Sequence, residues 1–542
     1  MSAYIEKLQK LVQGEIETSR DLLDFYSTDG SIFKVTPQAV FYPKDTLDIQ
    51  NLVRYINDLA RSGHKIPITM RGKGTDQAGG PLGEGIVVDT TRYMNHILEV
   101  GIDFVRVEPG VRYGEVQAGL KKLGRYLPPY PASLEICTVG GAVANNSAGE
   151  KTVKYGATRR YVESLKVVLA NGELIETRAL DGYEVGSKKR LESFEGDVYR
   201  ELDEVLVRNW DLIKETRPHV SKNAAGYALD AVERYGKFDL GQIFTGSQGT
   251  LGIITEITLK TLPVPSKVGL VVGYFSDVRE AGVAVTKLLH LRPSALEIVD
   301  KNLIVLVNEQ DPLLLAGLIP AELPQAVLLV EFDDPEPGLI KKKIASAKVI
   351  LEKHTYHWVE KEDPDDQARL WKLRRSAAAV MWTIPGEAKA LPIIEDGTVN
   401  VALLPEFFER AYALFEKYDL KIAVWGHAGD ADLHMQPFMN LASEKDRRKI
   451  FDLTDDFYKM VISLGGTTSG EHNDGLMRSP WLKELYGEEM YRLFERVKKI
   501  FDPAGILNPG KKIGVTVEQL KKLLRDEYSM KHLVKAKEQV NR

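Results

Sequence analysis

Two polar segments in the last quarter of the chain, residues 426–434 and 470–475, concentrate imidazole and carboxylate groups. These side chains bind metal ions and transfer protons at neutral pH. The first segment also predicts a β-hairpin, because apolar residues flank it and residues 429–432 form a turn cluster. With those four residues as the loop, His427 pairs with His434 on one face of a sheet, with Cβ atoms about 4.5–5.5 Å apart. Two imidazoles so placed could hold one metal ion, or could be two polar residues beside a turn.

The composition describes an ordinary globular protein that is too long for a single hydrophobic core. The 542 residues predict two or three domains, and 44% of the residues are apolar. A net charge of −5 leaves no basic excess for general binding to nucleic acid. The single cysteine, Cys137, excludes an internal disulfide, a multi-cysteine zinc site and an iron–sulfur cluster held by this chain.

The sequence contains no evident targeting or membrane segment. Polar residues at positions 6, 7, 9 and 10 argue against a signal peptide, and no apolar stretch approaches the roughly 18 residues of a membrane span. A cytoplasmic enzyme is therefore expected. The tail from residue 515 predicts a surface or dimer-contact helix, with a peripheral contact to the inner face of the membrane as the alternative. Its apolar stripe consists of Leu520, Leu523, Leu524, Leu533 and Val534.

Periodicity predicts the elements that must position these segments. A helix is expected over residues 45–63 and another over 339–354. Strands are expected at residues 66–70, 86–88, 105–107, 165–169, 253–262, 269–275 and 327–332, with a hairpin turn at 171–172. Two prolines interrupt the pattern at residues 263–266, where we place the main domain boundary.

Three glycine-rich loops lie before that boundary, at residues 71–80, 131–149 and 245–255. The first follows a strand but opens no helix and lacks the third glycine of a Rossmann fingerprint, and residues 149–152 lack the spacing of a P-loop. The first loop offers a nest of backbone N–H groups with two basic residues, which suits a pyrophosphate, or it is a structural turn. Small residues in the other two loops let a ligand approach the backbone closely. Together the loops suggest a large, elongated ligand such as a dinucleotide.

The loops and their order resemble the FAD-binding domain of the vanillyl-alcohol oxidase/p-cresol methylhydroxylase (PCMH) superfamily. The C-terminal half resembles the D-2-hydroxyacid dehydrogenase branch, which includes D-lactate, glycolate and D-2-hydroxyglutarate dehydrogenases. The segments that carry the resemblance are residues 23–29, 37–40, 370–374, 392–396, 426–434, 470–475 and 501–511. The resemblance extends from about residue 20 to residue 513.

The resemblance implies that the loops bind FAD, with the first loop on the pyrophosphate. The residues it assigns to FAD are Arg71, Gly72, Lys73, Gly74, Thr75, Asp76, Pro131, Ser133, Thr138, Gly140, Gly141, Asn145, Asn146, Gly149, Tyr155, Gly156, Gly252, Ile254 and Asn508. Some relatives tether the flavin through a histidine in the first loop or through a cysteine one position before Cys137. This chain has neither, so the resemblance implies non-covalent FAD.

The same resemblance assigns roles to the opening segments. His427, His434 and Glu471 match a site for a divalent metal ion, with zinc as the first candidate and iron or manganese as alternatives. Such a site leaves positions open for a substrate. His472 matches the general base. Arg374 matches a clamp for the substrate carboxylate and Lys389 a second substrate-facing cation. The alternative is that Arg374 or its neighbour Arg375, and Lys389, are solvated charges.

Two positions depart from the family pattern. Asp432 stands where relatives usually have asparagine, which removes a hydrogen-bond donor and can add a negative charge beside an anionic substrate. Asn473 stands where glycine is usual, directly after the expected base.

The expected fold is α+β. It comprises a two-part FAD-binding domain of the PCMH type (residues 1–265), a ferredoxin-like substrate and metal domain whose end returns to the flavin (266–513), and a helical tail (514–542). The expected function is oxidation of a D-2-hydroxyacid, with electrons passed to an external acceptor: a quinone, an electron-transfer flavoprotein, a separate iron–sulfur subunit or oxygen. The alternatives are a non-catalytic FAD-binding subunit of a larger oxidase and a metal-dependent hydrolase.

Overall fold

The computed structural model describes residues 3–383, 386–530 and 533–534, and the side chains of residues 376–383 lie outside the description. The first elements are α1 (Ala3–Gln9), β1 (Glu15–Glu17), α2 (Arg20–Tyr26), β2 (Ala39–Tyr42), α3 (Thr46–Arg61), β3 (Ile68–Arg71) and β4 (Ile86–Asp89). They form a sheet in the order β1-β2-β4-β3, in which β2, β4 and β3 are parallel. The first predicted helix is confirmed as α3, capped by Asp45, whose side chain accepts a hydrogen bond from Asp48 N.

The second group of elements builds a five-stranded antiparallel sheet. The strands of this group, which include two further strand pairs, are β5 (Ile97–Val100), β6 (Phe104–Val107), β7 (Arg125–Tyr126), β8 (Val162–Val168), β9 (Leu174–Thr177), β10 (Glu233–Arg234), β11 (Lys237–Phe238), β12 (Ile253–Lys260) and β13 (Leu262–Pro263). Its helices are α4 (Tyr113–Lys121), α5 (Val139–Asn145), α6 (Thr152–Tyr155), α7 (Gly182–Lys189), α8 (Phe194–Glu215), α9 (Leu229–Val232) and α10 (Gly241–Phe244). The main sheet has the order β5-β6-β12-β8-β9. The predicted turn at residues 171–172 joins β8 to β9.

The third group forms an eight-stranded sheet. Its strands are β14 (Gly269–Phe275), β15 (Ala295–Asp300), β16 (Ala326–Phe332), β17 (His357–Lys361), β18 (Lys389–Ala390), β19 (Gly397–Thr398), β20 (Ile422–His427) and β21 (Asp432–Met439). Its helices are α11 (Val278–Leu288), α12 (Lys301–Gln310), α13 (Pro312–Leu315), α14 (Pro337–Leu351), α15 (Pro364–Thr383), α16 (Leu404–Lys417) and α17 (Glu444–Ser463). The order β17-β14-β16-β15, with α11 after β14 and α14 after β16, confirms the predicted ferredoxin-like arrangement.

The central strands of this sheet are buried on both faces, which explains their unbroken apolar sequences. Along β14, Val271 packs with α11 and α14, whereas its neighbour Val272 packs with α12 and α15. Alternate residues of each strand therefore belong to two separate cores. The sheet is a rigid platform from which β15, β20 and β21 present polar side chains.

The predicted hairpin of β20 and β21 is confirmed, but its predicted register is wrong by two residues. His427 pairs with Asp432, and His434 pairs with Trp425. The loop consists of residues 428–431, because a short 3₁₀ turn follows β20 and Ala431 adopts a left-handed φ of 51°. A shift of two residues leaves every side chain on its original face. The two imidazoles therefore still meet, with ring centroids 5.6 Å apart.

The end of the chain returns to the N-terminal part. Helix α18 (Leu482–Phe501) packs on α8, and α19 (Val517–Leu523) is followed by a segment that pairs with residues 29–34. Leu520, predicted on a surface or dimer-contact helix, is buried in this chain's own core. The predicted tail beyond residue 534, with residues 531–532, lies outside the described residues. The domain boundaries at residues 265 and 513 stay predictions, since hydrophobic clusters cross both of them.

Among the described residues, no helix is both long enough and apolar enough to cross a bilayer.

Candidate active site

A cavity of about 560 Å³ is lined by the glycine-rich loops and by the two polar segments together. The predicted FAD residues that line it are Arg71, Gly72, Lys73, Gly74, Thr75, Asp76, Pro131, Ser133, Thr138, Gly140, Gly141, Asn145, Gly252 and Ile254. The predicted catalytic and metal-binding residues that line it are Arg374, His427, His434, Glu471 and His472. Both sets of residues therefore line the same cavity.

Six predicted residues do not line this cavity as the described residues define it. They are Asn146, Gly149, Tyr155, Gly156, Asn508 and Lys389. Asn508 instead holds two of the loops, donating to the carbonyl oxygens of Gly80 at 3.0 Å and Gln248 at 2.7 Å. Lys389 lies on β18, opposite Met439.

The first loop fits the pyrophosphate of FAD. The Arg71 guanidinium is buried and lines the cavity, and its Nη2 donates to the Thr28 carbonyl oxygen at 2.8 Å. Its Nη1 is buried without a hydrogen-bond partner among the described residues. A buried cationic donor beside a cavity, with no protein partner, is suited to donate a hydrogen bond to an anionic ligand.

Cys137 also lines the cavity, at the end of the second loop. Burial raises the pKa of its thiol to about 12. Because the thiolate is the reactive form, the side chain is chemically quiet near neutral pH.

The three predicted metal ligands converge on one point. Glu471 Oε1 lies 3.0 Å from His427 Nε2 and 3.4 Å from His434 Nε2. One ligand atom from each residue lies within 4.8 Å of the others, and all three residues are buried. Two imidazoles and one carboxylate form a donor set suited to a divalent cation. The residues present therefore fit the implied metal.

The electrostatic surroundings of these ligands also suit a cation. Burial alone would raise the pKa of Glu471, but His427 and Lys222 outweigh it and hold that pKa well below its usual range. Burial and, to a smaller degree, His472 lower the pKa of His434 to about 4, so its ring is neutral. Burial opposes charge on His427 as well, yet Glu297 and Glu471 raise its pKa to about 9. The same negative field favours a metal cation.

A second layer of carboxylates orients the imidazoles, and sequence reasoning did not assign it. His427 Nδ1 donates to Glu297 Oε1 at 2.9 Å, and His472 Nδ1 makes a short contact with Glu395 Oε2. Each carboxylate is paired with a buried cation, Glu297 with Arg374 and Glu395 with Arg478. Such partners fix the ring orientation and tautomer of histidines.

Some of these partners had a signal in the sequence. Glu297 is an acid between apolar residues in strand β15, and Glu395 lies in a segment that carries the family resemblance. Lys222, which contacts Glu471, has no comparable local signal. Its position follows only from the chain's tertiary path.

Arg374 has a partner inside the protein. Its Nε donates to Glu297 Oε2 at 2.7 Å, so it supports the network that holds His427 while also lining the cavity. The adjacent Arg375 donates to Glu150 on the second loop, with 2.9 Å between Nε and Oε2. Arg374 is therefore buried and not a solvated charge, whereas Arg375 is 41% exposed although it is paired with Glu150.

The two departures from the family pattern have structural counterparts. Asp432 Oδ2 lies 2.6 Å from Lys222 Nζ, and Asp432 is absent from the cavity lining of the described residues. Its charge is matched inside the protein instead of facing the cavity. Asn473 has a φ of 69° and donates to the carbonyl oxygens of Asn145 at 3.0 Å and Gly246 at 2.9 Å. It therefore ties the second polar segment to two glycine-rich loops.

Comparison with known proteins identifies two domains in order. Residues 37–178 match the FAD binding domain, and residues 264–512 match the FAD linked oxidases, C-terminal domain.

Three curated relatives have similar sequences. D-2-hydroxyglutarate dehydrogenase of Pseudomonas putida is 28% identical over 512 residues, covering 92% of this chain and 50% of the relative. Glycolate oxidase subunit GlcD of Bacillus subtilis is 29% identical over 493 residues, covering 90% of this chain and 91% of the relative. D-lactate dehydrogenase of Archaeoglobus fulgidus is 28% identical over 522 residues, covering 94% and 99%. The chain thus spans about half the length of the D-2-hydroxyglutarate dehydrogenase it matches.

Solved structures confirm the predicted fold. 4-Ethylphenol oxidase from Gulosibacter chungangensis superposes with a TM-score of 0.69 at 18% identity, covering 96% of this chain and 99% of the other. p-Cresol methylhydroxylase superposes with a TM-score of 0.68 at 16% identity, covering 95% and 97%. The chain thus combines an FAD binding domain with the C-terminal domain of FAD linked oxidases, in that order.

Proposed function

We propose that the protein oxidises a D-2-hydroxyacid to the 2-oxoacid, using FAD and a divalent metal ion. The observation that carries this proposal is the single cavity lined by the FAD loops and by His427, His434, Glu471 and His472. The names of the relatives support the same chemistry, since they include dehydrogenases of D-lactate and D-2-hydroxyglutarate.

FAD binds without a covalent bond in this proposal. The first loop holds the pyrophosphate through Arg71 and its backbone N–H groups, and Asn145 lines the cavity on the second loop. When bound, FAD supplies the acceptor for the hydride that leaves the substrate carbinol carbon. The protein's contribution is to place the substrate and exclude competing reactions.

His427, His434 and Glu471 hold the metal ion, with zinc as the first candidate and iron or manganese as alternatives. A bound divalent ion would polarise the substrate hydroxyl and lower its pKa. Arg374 lines the same cavity and offers a guanidinium to the substrate carboxylate. Lys389 lies outside the described cavity lining and takes no part in this proposal.

His472 acts as the general base that takes the hydroxyl proton. Its Nδ1 contacts the Glu395 carboxylate, which keeps a proton on Nδ1 and leaves Nε2 able to accept one. The ring stacks on His434 with centroids 4.7 Å apart, which fixes its plane beside the metal ligands. Position and tautomer together make Nε2 the proton acceptor.

The reduced flavin passes its electrons to an external acceptor: a quinone, an electron-transfer flavoprotein, a separate iron–sulfur subunit or oxygen. The sequence has no nicotinamide-binding fingerprint and only one cysteine. The proposal therefore places the second redox partner outside this chain, in the cytoplasm or at the inner face of the membrane.

Anaerobic titration of the purified protein tests the proposal. D-lactate, D-2-hydroxyglutarate and glycolate are added in turn, with and without chelator, while the visible flavin band is recorded. We expect at least one D-hydroxyacid to bleach the band and its L-isomer to leave it unchanged, with loss of bleaching after chelation. A colourless protein points to the hydrolase alternative, and a yellow protein that no hydroxyacid bleaches points to a non-catalytic subunit.

Replacement of the base provides a second test. His472→Ala is expected to slow anaerobic reduction of bound FAD by roughly 10²–10⁴-fold. FAD content should stay unchanged, because the FAD loops are untouched. His64→Ala, at an exposed histidine, is the matched control. Flavin reduction at the native rate in His472→Ala would remove His472 from the mechanism.

A further inference from the structure

Lys222 enters the candidate metal centre from the FAD-binding half of the chain. It lies in a loop after α8 that runs along the segment carrying Glu471. Ala224 N donates to the Ser469 carbonyl oxygen at 2.9 Å, and Gly226 N donates to Asp474 Oδ2 at 2.8 Å. The side chain of Lys222 is only 2% exposed. The backbone that follows Lys222 is therefore fixed against the segment carrying Glu471.

The ammonium group bridges two carboxylates. Lys222 Nζ lies 2.7 Å from Glu471 Oε2 and 2.6 Å from Asp432 Oδ2. The two oxygens of Glu471 thus face different groups, since Oε1 faces the imidazoles of His427 and His434. Glu471 has the orientation of a carboxylate that bridges two cations.

A second set of potential ligands includes both carboxylates that contact this ammonium group. Asp396, Asp432 and Glu471 each offer an oxygen within 4.8 Å of the others, and all three are buried. This carboxylate triad shares Glu471 with the His427–His434–Glu471 set. Asp432 and Glu471 are buried carboxylates that need a cation to balance them. Lys222 provides it.

We propose that Lys222 is a resident cation that occupies the second cation position of this centre and keeps the centre mononuclear. The proposal rests on the metal site of the proposed function. In two-metal sites the ions lie about 3.5–4 Å apart and share bridging ligands. Here an ammonium group replaces the second ion, so Glu471 is held as a ligand through Oε1 alone. Lys222 is a positioning residue, and Asp432 is its counter-charge.

The test measures metal stoichiometry on the full chain with FAD bound. Metal-stripped protein is dialysed against excess Mn²⁺, desalted and analysed for bound metal. We expect about one ion per chain in the native protein and in Lys222→Arg, and about two in Lys222→Met. The electron paramagnetic resonance spectrum of Mn²⁺ bound to Lys222→Met should show the exchange coupling of two neighbouring ions. If Lys222 had only a structural role, its replacement by methionine would not change this spectrum.

Two further variants serve as controls. Lys222→Met combined with Asp432→Asn should return to about one ion, because one carboxylate of the triad is removed. Lys498→Met removes another buried lysine, which pairs with Asp502 and not with the triad, and should bind about one ion. If Lys222→Met is insoluble, growth with excess Mn²⁺ should restore soluble protein, since the ion would replace the ammonium group.

The remaining outcomes contradict the proposal. One ion in Lys222→Met, or insolubility that Mn²⁺ does not relieve, would show that Lys222 does not occupy a cation position. Two ions in the native protein would show that it does not exclude one. A native protein that binds no ion would contradict the metal centre itself, while flavin reduction by a hydroxyacid would still test the redox function separately.

Discussion

His427 Nδ1 donates to Glu297 Oε1 over 2.9 Å, while His427 Nε2 faces Glu471 on the other side of the ring. Glu297→Gln keeps the shape of this partner but removes its charge. We expect the affinity for a divalent ion to fall roughly 10–100-fold, because the carboxylate fixes the ring and strengthens it as a ligand. Competition with a chromogenic chelator measures the change. Glu360→Gln, on β17 of the same sheet, should leave the affinity unchanged, and equal affinities in both variants would contradict this role.

Cys137 is the one cysteine that could form a covalent bond to the flavin. The pKa of its thiol is raised to about 12 by burial, so almost no thiolate is present at pH 7 to 8. We expect acid precipitation to release all of the flavin into the supernatant, both from the native protein and from Cys137→Ser. A flavin band that stays with the native pellet, and is lost from the Cys137→Ser pellet, would show a covalent bond.

The loop of the β20–β21 hairpin contains one strained residue. Ala431 adopts a φ of 51°, whereas Ala428 lies in the preceding 3₁₀ turn. Both methyl groups are buried, so Ala→Gly loses similar contacts at either position. Only Ala431→Gly also relieves left-handed strain of roughly 1–2 kcal/mol. Thermal unfolding should therefore show a lower midpoint for Ala428→Gly than for Ala431→Gly, and the reverse order would contradict the backbone geometry.

The carboxyl group of Asp300 makes the stability of the folded protein depend on pH. It caps α12 by accepting a hydrogen bond from Leu303 N, and burial raises the pKa of its carboxyl to about 7. Because the folded state binds this proton more tightly than the unfolded state, native stability from this group is lost as pH rises towards 7. Asn cannot ionise and still caps the helix. The unfolding midpoint of Asp300→Asn relative to the native protein should therefore rise between pH 5 and pH 8.

A second capping aspartate gives the control for this trend. Asp277 caps α11, and a hydrogen bond from Arg279 lowers the pKa of its carboxyl. It stays ionised between pH 5 and pH 8, so the midpoint difference for Asp277→Asn should be flat over that range. Parallel pH trends for the two variants would contradict the assignment to Asp300.

The hairpin illustrates what the sequence could and could not predict. Turn residues between two apolar stretches were enough to predict the strands and the shared face of His427 and His434. The register was wrong by two residues because the loop uses a 3₁₀ turn and a left-handed Ala431, which residue types alone do not reveal. The metal-ligand prediction tolerated this error, because side-chain alternation has a period of two.

The second layer of the site was harder to predict for a different reason. Glu297 and Lys222 reach His427 and Glu471 from strands and loops far away in the sequence. No local period encodes such contacts, since the Glu297 contact depends on the pairing of β15 with β20 and the Lys222 contact depends on how the sheet packs against the FAD-binding half. The placement of the Asp432 charge could not be predicted for the same reason, because this carboxylate pairs with the distant Lys222.

The segment after α19 has a consequence for the order of assembly. Arg525 Nε donates to the Phe33 carbonyl oxygen at 3.0 Å, and Tyr528 Oη donates to the Gly30 carbonyl oxygen at 2.8 Å. The loop these residues hold also supplies the Thr28 carbonyl oxygen that orients Arg71. During synthesis on the ribosome, this loop lacks its last partners until residue 528 has emerged. We therefore expect the nascent chain to acquire flavin as a late event, after both halves have been made.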